Sequence, residues 1–294
     1  MTSEPPVPAQ LSGIGATALG VAALRAQESL RQDRLFDDPY AQLFLDAAHP
    51  AGSPWSTGSA AGFFHAIGHQ VAVRTRFLDD TLLAAVREGC DQVVLLASGM
   101  DSRPFRLAWP PGTTVFELDF ADVLAFKAAV IASRTTPPAG QLARPTCRHV
   151  AVPADLREDW PQTLAEAGFD RRRPAAWLAE GILYALPPEA AALLLDRITS
   201  LSAPGSVLAM DHGEDSELLR TARVSVSPDL RDLWQGGPSE DLKPWLARRG
   251  WDPTVRDIAD IARDHRRPVP PAFDPDRTDA GRGWLATARL SERR

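Results

Sequence analysis

An apolar strand that breaks into a turn of small residues constrains this chain more than any other feature. Val93 to Leu96 run into Ala97, Ser98 and Gly99, a second apolar run follows from Val115 to Leu118, and Asp119 stands at its end. A doubly wound α/β sheet prepares a nucleotide site in this way. The small turn lets backbone approach a ligand, and a carboxylate about 20 residues on can accept from both ribose hydroxyls. No G-x-G-x-x-G is written at this turn, which excludes a good dinucleotide fingerprint. An adenosine site without a pyrophosphate fits better, and S-adenosyl-L-methionine (SAM) is the commonest such ligand.

The rest of the chain reads as the same architecture. Strands are predicted near 92–97, 114–118, 148–152, 175–180 and 206–211, with helices between them near 121–133, 159–167 and 188–202. Such alternation means a mostly parallel sheet with helices on both faces. Before it, Thr17 can cap a helix through about Arg31, Asp38-Pro39 opens another through Leu45, and a long amphipathic helix spans Gln70 to Glu88, ended by Gly89. The stretches 49–60 and 134–147 read as loops. After Asp211 the alternation breaks into a polar, partly helical stretch, a helix near 239–249, and apolar runs near 253–258 and 284–290, the second a last strand. A chain of 294 residues organised so is one domain over 13–294 behind a flexible arm, 1–12. The segments 13–68 and 213–240 are placed to cover the carboxyl edge of the sheet as a lid.

Charge and cysteine usage narrow the partners. A formal net charge of −6 argues against a nucleic-acid partner, and the arginines at 171–173 and 266–267 read as solvated surface. Cys90 and Cys147 lie far apart without a Cys/His cluster, so neither a disulfide framework nor a metal site is expected. The first basic residue is Arg25 and the small-residue run Ile14 to Leu24 is short, so a cytoplasmic protein without a membrane partner is expected. Oligomeric state stays open.

Several residues can carry chemistry. On the helix 70–88, Arg74 falls on the stripe of Val71, Leu78, Leu82, Ala85 and Val86, whereas Arg76 can pair with Asp79 or Asp80. An inward guanidinium needs a carboxylate, either that of a cofactor's amino-acid end or a core acid. Asp119 reads as a ribose ligand, Glu117 shares its face, and Asp119 could instead cap the following helix. Asp155 and Leu156 follow the strand 148–152, where an aspartate can accept from an adenine amino group or merely cap a helix. Glu180-Gly181 closes AAWLAE, and a glutamate after so apolar a run needs a partner. Tyr184 and His212 stand where they could orient or deprotonate a substrate. His65 and His69 share a helix face but have no third ligand nearby.

With those residues in hand, the chain resembles the leucine carboxyl methyltransferase family, especially its actinobacterial branch of SAM-dependent O-methyltransferases. The likeness rests on TALGVAALRAQES (17–29), DRLFDDPYAQLFL (33–45), VAVRTRFLDD (71–80), the 93–119 stretch, ADLREDW (154–160), AWLAEGILYALPPEA (176–190) and PWLARRGW (244–251), in that order. It implies a Rossmann-like methyltransferase fold with SAM as cofactor. It implies further that Arg74 binds the SAM carboxylate and Asp119 the ribose, that Asp155 and Leu156 hold adenine, that Glu180 lies near the amino-acid portion, and that the turn 97–99 passes beneath. Two departures stand out. The family writes the turn G-A-G where this chain has A-S-G, and it carries tyrosine where Ala185 stands, one residue after Tyr184. If position 97 needs a positive backbone dihedral, the methyl of Ala97 costs on the order of 1 kcal/mol or more.

No base motif is evident, which leans toward methylation of a carboxylate or acidic hydroxyl on a small acidic metabolite, in a biosynthetic pathway. A carboxylate is already ionised and needs no base. A repurposed enzyme catalysing a non-methylating reaction such as cyclisation, and a non-enzymatic module with a degenerate pocket, remain as alternatives. The intact Arg74, Asp119, Asp155 and Glu180 count against both.

Overall fold

The computed structural model describes residues 14–48, 61–133, 145–226 and 234–291. The expected arm, the loop 49–60 and most of the loop 134–147 lie outside them. Three helices come first: α1 (Ile14–Ser29), α2 (Ala41–Ala48) and α3 (Ala61–Arg87). The sheet then unfolds as β1 (Gln92–Leu96), α4 (Arg103–Arg106), β2 (Thr114–Asp119), α5 (Ala121–Ala132), β3 (Arg148–Pro153), α6 (Trp160–Glu166) and β4 (Ala175–Ala179). It continues with α7 (Pro188–Ser200), β5 (Val207–Gly213), α8 (Glu217–Val226), α9 (Leu242–Ala247), β6 (Trp251–Asp257), α10 (Ile258–Asp264) and β7 (Gly283–Leu290).

Seven strands form one sheet in the order β3-β2-β1-β4-β5-β7-β6. Neighbours from β3 to β5 pair in parallel, and β7 inserts antiparallel to both β5 and β6. The parallel part is the expected α/β fold. The chain winds outward from β1 to β3 and then returns to β4 on the other side of β1. The carboxyl ends of β1 and β4 therefore meet at the switch point where such sheets open a crevice.

Side chains of the central strands alternate between two cores. Val94, Phe116 and Trp177 face α6 and α7, where Trp160, Leu194 and Leu195 close over them. Val93, Leu95, Val115 and Leu178 face Leu78 and Leu82 of α3. The inward stripe read for α3 is real, and Arg74 is buried on it at 3% exposure.

Several expectations need correction. α1 begins three residues before Thr17, so Thr17 lies within the first turn and not at the N-cap position. α3 begins nine residues before Gln70: Gly62 and Gly68 do not break it, and Gly68 lies against Leu24 of α1. β1 stops at Leu96 because Ala97 takes φ 46°, which no strand can continue. β5 runs on through Gly213, which places His212 within the strand and not past it. The apolar run near 253–258 is the edge strand β6. Arg267, read as surface, is 5% exposed and pairs with Glu28 of α1 at 2.6 Å. No helix among the described residues is long and apolar enough to cross a membrane.

Candidate functional site

The turn after β1 is held open by its neighbours. Ala97 and Gly99 both adopt left-handed backbone, φ 46° and 50°. Glycine does so freely, whereas an L-residue loses about 1–2 kcal/mol there. The N–H of Ser98 donates to the carbonyl of Leu118 at 3.1 Å, and that of Gly99 to Asp119 Oδ2 at 2.6 Å. Asp119 Oδ1 accepts from the N–H of Phe120 at 2.7 Å. Burial raises the Asp119 carboxyl above its usual range, outweighing these two donors. A carboxylate has about four lone-pair sites, so two remain for a ligand. The capping alternative is not what the structure shows, because α5 has no side-chain cap.

Glu117 is occupied elsewhere. It is fully buried beside Lys127 Nζ and hydrogen-bonds His149 Nε2 at 2.8 Å, while Lys127 also donates to the carbonyl of Asp101 at 2.6 Å. Of the two acids that share a face of β2, Asp119 alone meets the turn.

At the carboxyl ends of β4 and β5 the helices deliver a buried charge cluster. Glu180, just after β4, pairs with Arg25 at 2.8 Å, Arg74 at 3.0 Å and Arg103 at 2.6 Å. Arg74 Nη1 donates to Asp211 Oδ2 at 2.8 Å, and the N–H of Gly181 donates to Asp211 Oδ1 at 2.6 Å. Asp79 holds Arg103 and Arg106 in turn. Burial alone would raise the Glu180 carboxyl, but Arg103, Arg25 and Arg74 outweigh it and hold it well below the carboxylate range. Arg74 thus has core acids as partners, yet its Nε makes no hydrogen bond despite its nearness to Glu180. Arg25 and Asp211 were not singled out from sequence. Arg25 could have been found as a cation inside the apolar run of α1, and Asp211 as an acid at a strand's end.

A cavity of about 60 Å³ opens beside this cluster, bordered by Gln70, Arg74, Tyr184, His212, Arg223 and Trp234. Asp211 also borders it, and the remaining wall is apolar apart from the Gly213 backbone. The Tyr184 ring stacks on Trp234 at 3.9 Å, and burial together with Asp211 pushes its hydroxyl up to about 12. His212 stacks on Trp284 at 5.9 Å, burial lowers its pKa, and its Nδ1 is buried without a partner. Tyr184 is thus a neutral hydroxyl and His212 a neutral imidazole at pH 7.

Asp155 and Leu156 stand outside this cavity. They follow β3, whose end is tied to the end of β2 by the Ala154 N–H donating to the Asp119 carbonyl at 2.9 Å. The Asp155 carboxylate is engaged by Arg157 at 2.6 Å, and Leu156 packs against the α6–α7 core. The structure therefore sorts the residues read from sequence into two groups, 97–99 with Asp119 and Arg74 with Glu180, Tyr184 and His212, and engages the Asp155 side chain elsewhere. Among the described residues no group of three potential metal ligands occurs.

Comparison with known proteins adds the family. A profile of the leucine carboxyl methyltransferase family matches residues 18–199. A Parafrankia protein assigned by name to SAM-dependent methyl transfer is 45% identical over 266 residues, covering 88% of this chain and 83% of its own. A Streptomyces coelicolor protein assigned likewise is 40% identical over 283 residues, covering 95% and 97%. A crystal structure from Thermobifida fusca, also described as a methyltransferase, shares the fold with a TM-score of 0.55 at 18% identity, over 99% of this chain and 100% of that one.

Proposed function

This chain belongs to the leucine carboxyl methyltransferase family and is a SAM-dependent methyltransferase, and from that premise we propose that it methylates a carboxylate or acidic hydroxyl of a small acidic metabolite. The observation that carries the acceptor class is the cavity beside Arg74. It is small, and it sets two arginines, Arg74 and Arg223, beside a neutral tyrosine and a neutral histidine within walls that are mostly apolar.

The residues fit the cofactor. Ser98 Oγ in the β1 turn is a buried polar atom without a hydrogen bond, and Asp119 keeps free lone pairs at the same edge. Gly181 takes φ 74°, a left-handed backbone that glycine adopts freely, and lies within van der Waals reach of Tyr184 Oη and Arg74 Nη1. In this reading Ala97 and Gly99 pass beneath the cofactor, Asp119 accepts from its ribose, and Asp155 and Leu156 border its adenine. Arg74 and Glu180 flank its amino-acid end. SAM supplies an electrophilic methyl on a sulfonium.

What the protein contributes is alignment and exclusion of water. The segments 13–68 and 213–240 both line the cavity, through Val21 and Phe63 on one side and Leu219, Arg223 and Trp234 on the other, as a lid over the sheet edge would. Tyr184 donates to an acceptor oxygen and orients it. His212 accepts the proton of an acidic hydroxyl at Nδ1, and a carboxylate acceptor needs no such step. Two unpaired cysteines, Cys90 and Cys147, suit a reducing, cytoplasmic setting.

The test is methyl transfer from methyl-labelled SAM to a panel of acidic metabolites, each product then treated with alkali. Label released as methanol identifies a carboxyl ester, and alkali-stable label a hydroxyl ether. Transfer confined to nitrogen or carbon acceptors, or none at all, overturns the proposal.

A further inference from the structure

The cavity beside Arg74 contains a second cation that the cofactor reading does not use. Arg223 of α8 is 1% exposed and borders the cavity. Its Nη1 donates to Asp215 Oδ1 at 2.9 Å. Its Nε and Nη2 are buried without any hydrogen-bond partner. On a guanidinium these two nitrogens form one edge, whose parallel N–H groups match the two oxygens of a carboxylate. The plane of the group lies over the Trp234 ring, 4.7 Å from its centroid, and Trp234 is fixed in turn by its Nε1–H donating to the Gly213 carbonyl at 2.8 Å. A buried cation with an idle, oriented fork is costly unless an anion completes it.

The surroundings narrow that anion. Tyr184, Phe273 and Leu219 border the same cavity as flat or aliphatic surface, and Tyr184 stacks on the ring that carries Arg223. An inorganic anion would leave these walls unused. A carboxylate attached to a planar apolar framework satisfies both the fork and the walls.

We infer that Arg223 binds the acceptor through its Nε and Nη2 edge, selecting an aryl or alkenyl carboxylate over uncharged analogues of the same shape. The inference rests on the reading of this cavity as the acceptor pocket. It makes Arg223 a specificity residue with no part in holding the cofactor.

The experiment is calorimetric titration of the full-length protein, saturated with S-adenosylhomocysteine, with benzoate and cinnamate and with their amides. The acids bind at least about tenfold more tightly than the amides to the unaltered protein. In Arg223→Gln the ratio falls to within about twofold while S-adenosylhomocysteine affinity stays unchanged, and Arg223→Lys retains a part of the preference. Equal binding of acid and amide to the unaltered protein, binding of neither, or a preference that survives Arg223→Gln overturns the inference. If Arg223→Gln does not fold, the acid-to-amide ratio of the unaltered protein and of Arg223→Lys decides. The two readings fail separately. Loss of S-adenosylhomocysteine binding with the acid preference intact removes the cofactor reading alone, and the converse removes only the role of Arg223.

Discussion

Arg74 of α3 donates to Asp211 of β5 at 2.8 Å, across 137 positions of sequence. Asp211 receives the Gly181 N–H on its other oxygen, so one carboxylate ties a helix to the turn after β4. Burial would weaken the charge on Arg74, but Asp211 and Glu180 outweigh it and raise its pKa. The cation that the cofactor reading places at the amino-acid end of SAM is thus already oriented by the protein's own acids.

That arrangement makes Arg74→Ala expensive. It leaves Asp211 and Glu180 buried with one cation fewer, at a cost of about 3–5 kcal/mol. Adding Asp211→Asn to it costs less than the sum of the two single changes by about 1–3 kcal/mol, because the pair is lost only once. Urea unfolding of the four proteins checks this, and strict additivity would show that the pair is not coupled.

Asp119 and Glu117 should separate cleanly. Asp119→Asn weakens S-adenosylhomocysteine binding by at least about tenfold, since an amide presents one acceptor oxygen in place of two. Glu117→Gln leaves Lys127 unpaired and lowers stability by about 3–5 kcal/mol with little change in binding. Calorimetry and urea midpoints on both variants measure the split, and a reversed pattern would assign the cofactor role to Glu117.

Ala97→Gly relieves the left-handed backbone at φ 46°. The gain is reduced by the greater freedom of glycine in the unfolded chain, leaving about 0.5–1 kcal/mol of added stability. A lower urea midpoint for the glycine variant would show that the Ala97 methyl makes contacts worth more than the strain.

Stability should fall with pH in two steps. The folded pKa of His212 is lowered by burial from 6.5, so its contribution is complete above that value and is lost as pH falls toward the folded pKa. Glu180 is likewise depressed below 4.5, so its contribution is complete above 4.5 and is lost at more acid pH. His212→Gln should flatten the first step only in part, because burial also lowers His69 and His265. Unfolding midpoints from about pH 8 down to about pH 2 read both steps.

The sheet was legible because its signals are local. Val93 to Asp119 spell strand, turn, strand and carboxylate within one contiguous stretch, and the period of α3 turns Arg74 inward whatever lies opposite. The same local logic misplaced boundaries where packing overrode it. α3 starts at Ala61 and not near Gln70, with Gly68 lying against Leu24 of α1, and His212 reads as lying past the strand until β7 pairs along the whole of β5.

From sequence alone followed the α/β fold, the small-residue turn after the first strand with Asp119 at the end of the second, and the inward face of Arg74. Only tertiary structure decided that Arg74 meets Asp211, that Glu117 is taken by Lys127, and that Arg223 is buried at the cavity with two nitrogens unpartnered. Periodicity records which way a side chain points. It holds no record of which distant charge stands there, because that partner arrives by chain topology across more than a hundred residues and is selected by the cost of leaving either charge alone in a dry interior.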